Sequence, residues 1–284
     1  MDKTKSLTPL TYAVACNKET EPPFTGRFLQ VGEQGSYLCR RCGFPLWQTS
    51  HQFPSHCGWP SFDDRIPHAI QEIPDSDGQR TEIICERCHA HCGHVFRGEG
   101  FTTKNQRDCV NSVMLDFVPF LDVKDTEEII LAGGCFWGMD YWFSKAPGVL
   151  LVECGYTGGH QPYPCYEDVC NGQTGHFEAI RVVFDNEKTN TKTLYQLFFN
   201  IHDATQKNGQ GPDIGSQYRS AIFCFDSIQN KVAHELINIL KNQSIDVSTQ
   251  VLPVQIFWSA ENHHQHYYQM KKQRPYCHYP RNVF

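Results

Sequence analysis

No run in this chain approaches the ~18 consecutive apolar residues that a membrane-spanning helix needs, so none is expected among its 284 residues. The first ten residues, Met-Asp-Lys-Thr-Lys-Ser-Leu-Thr-Pro-Leu, also lack the apolar stretch of a secretory signal. An excess of positive charge is missing too. The net charge of −6 is spread evenly, with 13 basic and 16 acidic residues in positions 1–126 and 12 and 15 thereafter. No basic half exists to grip nucleic acid or an anionic membrane. Low-complexity segments and internal repeats are absent, and the two halves share no motif. These absences predict a soluble, cytoplasmic protein with no nucleic-acid and no membrane partner.

Cysteine, by contrast, is plentiful. Fourteen occur in the chain, and in a reducing compartment that number points to metal ligation or thiol chemistry rather than to a disulfide framework. The length exceeds one ordinary domain of roughly 100–200 residues, so two domains are expected. The first half is punctuated by Pro and Gly and carries short strand-like runs, Thr81–Cys85 and the alternating Val113, Leu115 and Phe117. It reads as a mostly β domain of twisted antiparallel sheets over residues 1–120, followed by a polar linker at 121–126.

Residues 127–284 follow a different grammar. Strands are predicted at Glu128–Ala132, Val149–Cys154, Glu178–Phe184 and Tyr218–Phe225, and a helix from Cys135 to Ser144. Leu194, Leu197, Phe198 and Ile201 mark a second helix by their i, i+3, i+4, i+7 spacing. The order β-α-β-β-α-β is that of a split βαβ, a ferredoxin-like α+β sandwich. Ile228, Val232, Leu236 and Leu240 predict a further helix, and Val251–Trp258, interrupted by Pro253, an edge strand.

Cys39-Arg-Arg-Cys42 and Cys85-Glu-Arg-Cys88 are two C-x-x-C pairs separated by 42 residues. A two-residue spacing lets one tight turn aim both sulfurs at one ion, and four thiolates together make a closed structural zinc site. A redox dithiol, or buried thiols acting as small hydrophobes, are the alternatives. Cys57-Gly-Trp-Pro-Ser-Phe62, His89-Ala-His91-Cys-Gly-His94-Val-Phe96 and Arg107-Asp-Cys109-Val-Asn111-Ser112 remain. A thiol is a few per cent ionised at neutral pH unless a cation or aligned donors assist it, and Arg107 or a histidine could do so. Singly, each also reads as core. In the second half, Gly133-Gly-Cys135-Phe-Trp-Gly138 lies between a strand and a helix, which sets a thiol at the positive end of the helix. A tight strand-to-helix turn is the alternative reading of the glycines, and the motif favours catalysis over it.

Taken in order, Glu21-Pro-Pro-Phe24-Thr25, both C-x-x-C pairs, Gly58-Trp-Pro-Ser-Phe62, Ala90-His91-x-Gly-His94-Val-Phe96 and Cys109-x-Asn-Ser112 resemble the B-type methionine sulfoxide reductases over about residues 7 to 120. The resemblance implies that Cys109 attacks the sulfoxide sulfur, that His91, His94 and Asn111 bind and protonate its oxygen, and that Trp59 packs on the methyl group. Cys57 stands where some members place the resolving thiol. Two positions depart from the pattern. Asp108 replaces an aromatic residue and, next to Cys109 on a strand, is expected to face solvent. Cys92 replaces a leucine and competes with Cys57 as resolving thiol.

Tyr163-Pro-Cys165-Tyr166-Glu-Asp-Val-Cys170-Asn-Gly172, Thr174-Gly-His-Phe-Glu178 and Gln210-Gly-Pro-Asp213-Ile-Gly-Ser-Gln-Tyr218-Arg219, with the Cys135 motif, resemble the A-type methionine sulfoxide reductases over about residues 127 to 284. That likeness implies Cys135 as nucleophile, Glu178 as the acid for the leaving oxygen, Tyr166 and Tyr218 as donors to it, Phe136 and Trp137 as the methyl cage and Asp213 as support. Cys277 matches a mobile resolving thiol. The two resemblances together imply reduction of the R and S epimers of methionine sulfoxide by separate heads, thioredoxin as reductant, one zinc ion and no organic cofactor. A zinc-bearing binding module and a thiol peroxidase are the rival classes.

Overall fold

The computed structural model describes residues 3–284, which divide into two units, Leu7–Thr126 and, with the chain's first residues to Ser6, Glu127–Phe284. Lys3–Ser6 therefore belong with the C-terminal unit, where the Ser6 carbonyl accepts from Phe257 N–H (3.1 Å) and Lys3 pairs with buried Glu128 (3.4 Å). No described helix is long and apolar enough to cross a membrane.

The N-terminal unit is mostly β. It opens with α1 (Pro9–Asn17), capped by the Thr8 hydroxyl and started by a proline whose missing N–H costs nothing there. The strands are β1 (Ser36–Cys39), β2 (Pro45–Gln48), β3 (Gln52–Phe53), β4 (Ser61–Phe62), β5 (Ile70–Pro74), β6 (Thr81–Cys85), β7 (His91–Arg97), β8 (Gln106–Val110) and β9 (Leu115–Val118). They form a three-stranded sheet, β2-β1-β9, and a six-stranded sheet, β3-β4-β8-β7-β6-β5. Every strand pairing in this unit is antiparallel. Between them Tyr37, Trp47 and Phe62 are fully buried, with Trp47 stacked on Phe62 at 5.1 Å. Burial of aromatic area of this kind holds the two sheets of short strands together.

Asp108 departs from expectation. It does face away from Cys109, but into the core: fully buried, it accepts two 2.7 Å bonds from Arg65 and one of 3.0 Å from the Trp47 indole. A half-buried strand offers no solvent on its second face here, so the carboxylate had to be paired.

In the C-terminal unit the strands are β10 (Thr126–Gly133), β11 (Val149–Thr157), β12 (Phe177–Asp185), β13 (Gly209–Gln210), β14 (Asp213–Ile214), β15 (Ser220–Cys224), β16 (Gln250–Pro253) and β17 (Trp258–Ser259). Six of them make one sheet in the order β16-β15-β10-β12-β11-β17. The helices are α2 (Phe136–Phe143), α3 (Tyr166–Cys170), α4 (Thr191–Ile201), α5 (Ser227–Asn242) and α6 (Tyr267–Lys271). The apolar faces of α4 and α5 supply Leu194, Phe198, Leu236 and Leu240 to the main core. The run expected to be one edge strand is two. β16 pairs parallel with β15, and β17 pairs with β11 at the opposite edge. Pro253 ends β16, because a residue without an N–H cannot continue a ladder. Tyr218 lies in a one-turn helix, Ser216–Tyr218, before β15 rather than in that strand.

Candidate active sites and a candidate metal centre

Cys39 and Cys85 end strands β1 and β6, and in each case a tight turn returns the next cysteine to the same place. Gly43 N–H bonds the Cys39 carbonyl (2.6 Å) and His89 N–H that of Cys85 (2.8 Å). The four sulfurs of Cys39, Cys42, Cys85 and Cys88 lie within 4.8 Å of one another, with Cys39–Cys88 at 3.7 Å and Cys42–Cys85 at 3.6 Å. A tetrahedron with metal–sulfur bonds of about 2.3 Å has edges of about 3.8 Å, so the donor set fits one tetrahedral ion.

Pairing of β8 with β7 sets Cys109 opposite His94, and pairing with β4 sets it opposite Ser61. The approach demands a glycine at 93, because a Cβ there would run into the Cys109 carbonyl. A pocket of about 120 Å³ opens over Cys109, walled by Trp59, His94, Phe96 and Asn111. The Trp59 indole is held by the Glu21 carbonyl at 3.1 Å.

Cys57 Sγ lies 3.8 Å from Cys109 Sγ. Arg107, clamped by both oxygens of Glu99 (2.8 and 2.9 Å), reaches the Cys57 sulfur at 3.4 Å, and Ser55 donates to it at 3.0 Å. The hydrogen bond from Cys109 holds the Cys57 thiol down at about 4, while the same shared proton, with burial, pushes Cys109 up and Arg107 opposes that rise. The two sulfurs thus carry one readily formed negative charge between them. Cys92 is different. It is fully buried among Trp47, Phe62 and Ile83, and burial raises its thiol.

His91 does not wall the pocket. Its Nδ1 meets Glu82 at 2.7 Å, the second Glu82 oxygen meets Lys18 beside α1 at 2.7 Å, and its buried Nε2 has no hydrogen-bond partner among the described residues. Burial lowers the His91 pKa against the pull of Glu82. His94 Nε2 meets Asp75 at 2.7 Å. Asn111 has its oxygen bonded by Glu21 N–H (2.9 Å) and its amide nitrogen on the Cys92 carbonyl (3.1 Å), which leaves one N–H free. Glu82, Lys18, Asp75 and Glu99 escaped the sequence reading.

Cys135 is the N-cap of α2, and the adjacent Phe136 N–H donates to Glu178 of β12 at 3.0 Å. Burial raises the Glu178 carboxyl to about 8, with the Phe136 N–H pulling the other way. At neutral pH it therefore holds its proton. Burial raises Tyr166 and Tyr218 as well, so both phenols remain donors. Trp137 is stacked on Tyr267 at 3.9 Å and its indole N–H bonds His264 Nδ1 at 3.2 Å; Phe136 packs on the same imidazole at 5.4 Å. His264 and Tyr267 were also missed, although the run Glu261-Asn-His-His264-Gln-His-Tyr267 is dense in polar rings.

The segment around Cys277 is docked, not loose. Tyr276 donates to Asp213 (3.0 Å), the Trp142 indole to the His278 carbonyl (3.1 Å), and Arg281 N–H to the Asn200 carbonyl (2.7 Å). Cys277 and Cys135 are both buried, and their interaction, helped by His278 and opposed by burial, lowers the Cys277 thiol to about 6, while the same interaction and burial push the Cys135 thiol up.

Two thiol pairs, Cys57 with Cys109 half-buried and Cys135 with Cys277 buried, each beside an apolar pocket or cage with proton donors, make an arrangement suited to thiol–disulfide chemistry at two centres. The profile of the peptide methionine sulfoxide reductases matches residues 127–284, and the chain belongs to that family; the SelR domain profile matches residues 7–119. The peptide methionine sulfoxide reductase MsrA of Nautilia profundicola is 44% identical over 150 residues, which are 53% of this chain and 87% of the relative. MsrA of Saccharolobus solfataricus is 41% identical over 152 residues, 53% and 86% of the two chains. The crystal structure of Mxr1 from Saccharomyces cerevisiae in reduced form is similar with a TM-score of 0.52 at 31% identity, covering 55% of this chain and 93% of that one. The enzyme reduces methionine sulfoxide, the S epimer in the C-terminal half and the R epimer in the SelR half, since each epimer requires its own site.

Proposed function

We propose that the two heads run one chemistry with separate residues. Cys109 and Cys135 are the nucleophiles. Each thiolate attacks sulfoxide sulfur, the protonated oxygen passes to the enzyme as a sulfenic acid, and methionine leaves. The sulfenic acid then condenses with a second thiol, Cys57 or Cys277, to a disulfide and water, and an external dithiol, thioredoxin, takes the disulfide. The observation that carries this reading is the pairing of thiols: Cys57 with Cys109 at 3.8 Å, and buried Cys135 with buried Cys277, each shifting the other's ionisation.

In the N-terminal head, Trp59 receives the methyl group, His94 and the free Asn111 N–H face the oxygen, His91 supports His94 from a ring distance of 5.3 Å, and Arg107 favours the thiolate. In the C-terminal head, Phe136 and Trp137 cage the methyl group, Glu178 gives the proton, Tyr166 and Tyr218 hold the oxygen, and Asp213 anchors Tyr276. Cys39, Cys42, Cys85 and Cys88 hold one zinc ion. The C-terminal sheet is of the split βαβ, ferredoxin-like type, supported by the consecutive order β15-β10-β12-β11. The N-terminal head is built from Leu7–Thr126, so 121–126 belong to it rather than standing apart as a linker, and the expected start of that domain at residue 1 moves to Leu7 because the residues before it join Glu127–Phe284.

Steady turnover needs the second thiol and a single turnover does not. Cys277→Ser is therefore expected to release one methionine per site from the S epimer and to stop thioredoxin-driven turnover, and Cys57→Ser to do the same with the R epimer. Unaltered steady turnover in either variant would remove that thiol from the scheme.

Glu178 makes a separate prediction. Its acid form dominates below about 8 and is lost as pH rises through that value, so S-epimer reduction should decline on the alkaline side with a midpoint near 8. Glu178→Gln should lower methionine release by about 10²–10⁴-fold and erase that limb. A wild-type alkaline limb surviving in the variant would assign it to another group.

A further inference from the structure

His278 follows Cys277 directly and is almost wholly buried. Its Nε2 lies 2.7 Å from the carbonyl oxygen of Gly133, at the end of β10, and its Nδ1 lies 3.0 Å from Cys277 Sγ. A carbonyl can only accept, so Nε2 carries the hydrogen and, in the neutral ring, Nδ1 presents its lone pair to the thiol. The ring is confined as well as oriented. It lies against Gly138 of α2, where any Cβ would overlap the imidazole, and the Trp142 indole fixes the His278 carbonyl at 3.1 Å. Thiol, base and tautomer-fixing acceptor stand in line, as nucleophile–base pairs require.

We propose that His278 is the general base of the resolving step in the C-terminal head, a reading that rests on Cys277 as the resolving thiol. Nδ1 takes the Cys277 proton as its sulfur attacks the sulfenic sulfur of Cys135. The new S–S bond forms while the S–O bond breaks, and the departing hydroxide receives the proton back through the imidazolium or from solvent, so the step yields one disulfide and one water. No further oxidant or reductant enters. Direct contact with a reacting sulfur makes His278 catalytic in this step only. Methionine release, which depends on Cys135 and Glu178, precedes it.

The titratable groups around the dyad are Cys135, Glu178, Asp213, Tyr268 and Tyr276, with His202 beyond the ring. None of them is altered in the test, so their contribution is common to every sample.

The test uses the full chain, a single equivalent of the S epimer, and rapid sampling for both free methionine and the Cys135–Cys277 disulfide. His278→Gln keeps a donor for the Gly133 carbonyl but offers no base, and His278→Asn places an amide near the thiol. In both, methionine should appear at the wild-type rate, which also shows that the site is folded, while disulfide formation at pH 7 falls by about 10²-fold or more. The Cys135 thiol whose interaction lowers Cys277 in the reduced enzyme is gone once Cys135 is a sulfenic acid, so without His278 the lost rate should return by about tenfold per pH unit up to and beyond pH ~8.5, as the thiol ionises unaided. Disulfide formation at the wild-type rate, or a loss independent of pH as for a merely displaced thiol, would overturn the proposal. Cys277→Ser is the control for the reading beneath it: a disulfide to Cys135 forming in that variant overturns the assignment of Cys277 itself, whatever His278 does.

Discussion

Cys135→Ser is expected to reduce S-epimer turnover by about 10⁴-fold or more, to the background, while the R epimer is reduced at the unaltered rate; Cys109→Ser should do the reverse. A nucleophile that bonds to the substrate has no substitute within its site, so its loss removes the step rather than slowing it. Selectivity follows from the separation of the two pairs. Cys135 has Glu178, Tyr218 and Cys277 around it, all within the unit Glu127–Phe284, and Cys109 has Cys57, Arg107 and His94, all within Leu7–Thr126. Epimer-resolved assays of the two variants check this. Loss of both activities from either single change would contradict two independent heads.

Removal of the metal is the second large effect. The N-terminal unit has a three-stranded and a six-stranded sheet built from short strands, two of them of only two residues, and the four-thiol cluster ties the end of β1 to the end of β6. Structural zinc sites contribute apparent free energies of about 10 kcal/mol or more in small domains, which exceeds the whole stability of many of them. Cys39→Ser, or chelation during mild denaturation, should abolish cooperative unfolding of this unit and with it R-epimer reduction, and leave the S-epimer rate intact. Elemental analysis should find one zinc per chain. Metal-free protein with full R-epimer activity would contradict the structural role.

The sequence made the thiols legible because their spacing is local. C-x-x-C at the end of a strand needs only one turn to aim two sulfurs, and Gly-Gly-Cys135 before a helix needs only that helix. Partners brought in by the fold were not legible. Glu82 and Lys18 meet only when α1 packs near β6, and neither carboxylate nor amine advertises this in its own segment. Asp108 shows the limit of strand alternation: it gives the side a residue faces but not what waits there, in this case Arg65 and Trp47. Likewise Val251–Trp258 is largely apolar, and nothing but Pro253 hints that its two ends serve opposite edges of one sheet. The docked segment around Cys277 depends on Asn200, Trp142 and Asp213, each more than 60 residues away in sequence.

The most direct test of the central claim, two heads with their own nucleophile and resolving thiol, is peptide mapping of disulfides after one turnover with each pure epimer and no reductant. The R epimer should leave a Cys57–Cys109 bond and the S epimer a Cys135–Cys277 bond, each alone. A Cys92–Cys109 bond after the R epimer, or both bonds after either epimer, would contradict the account.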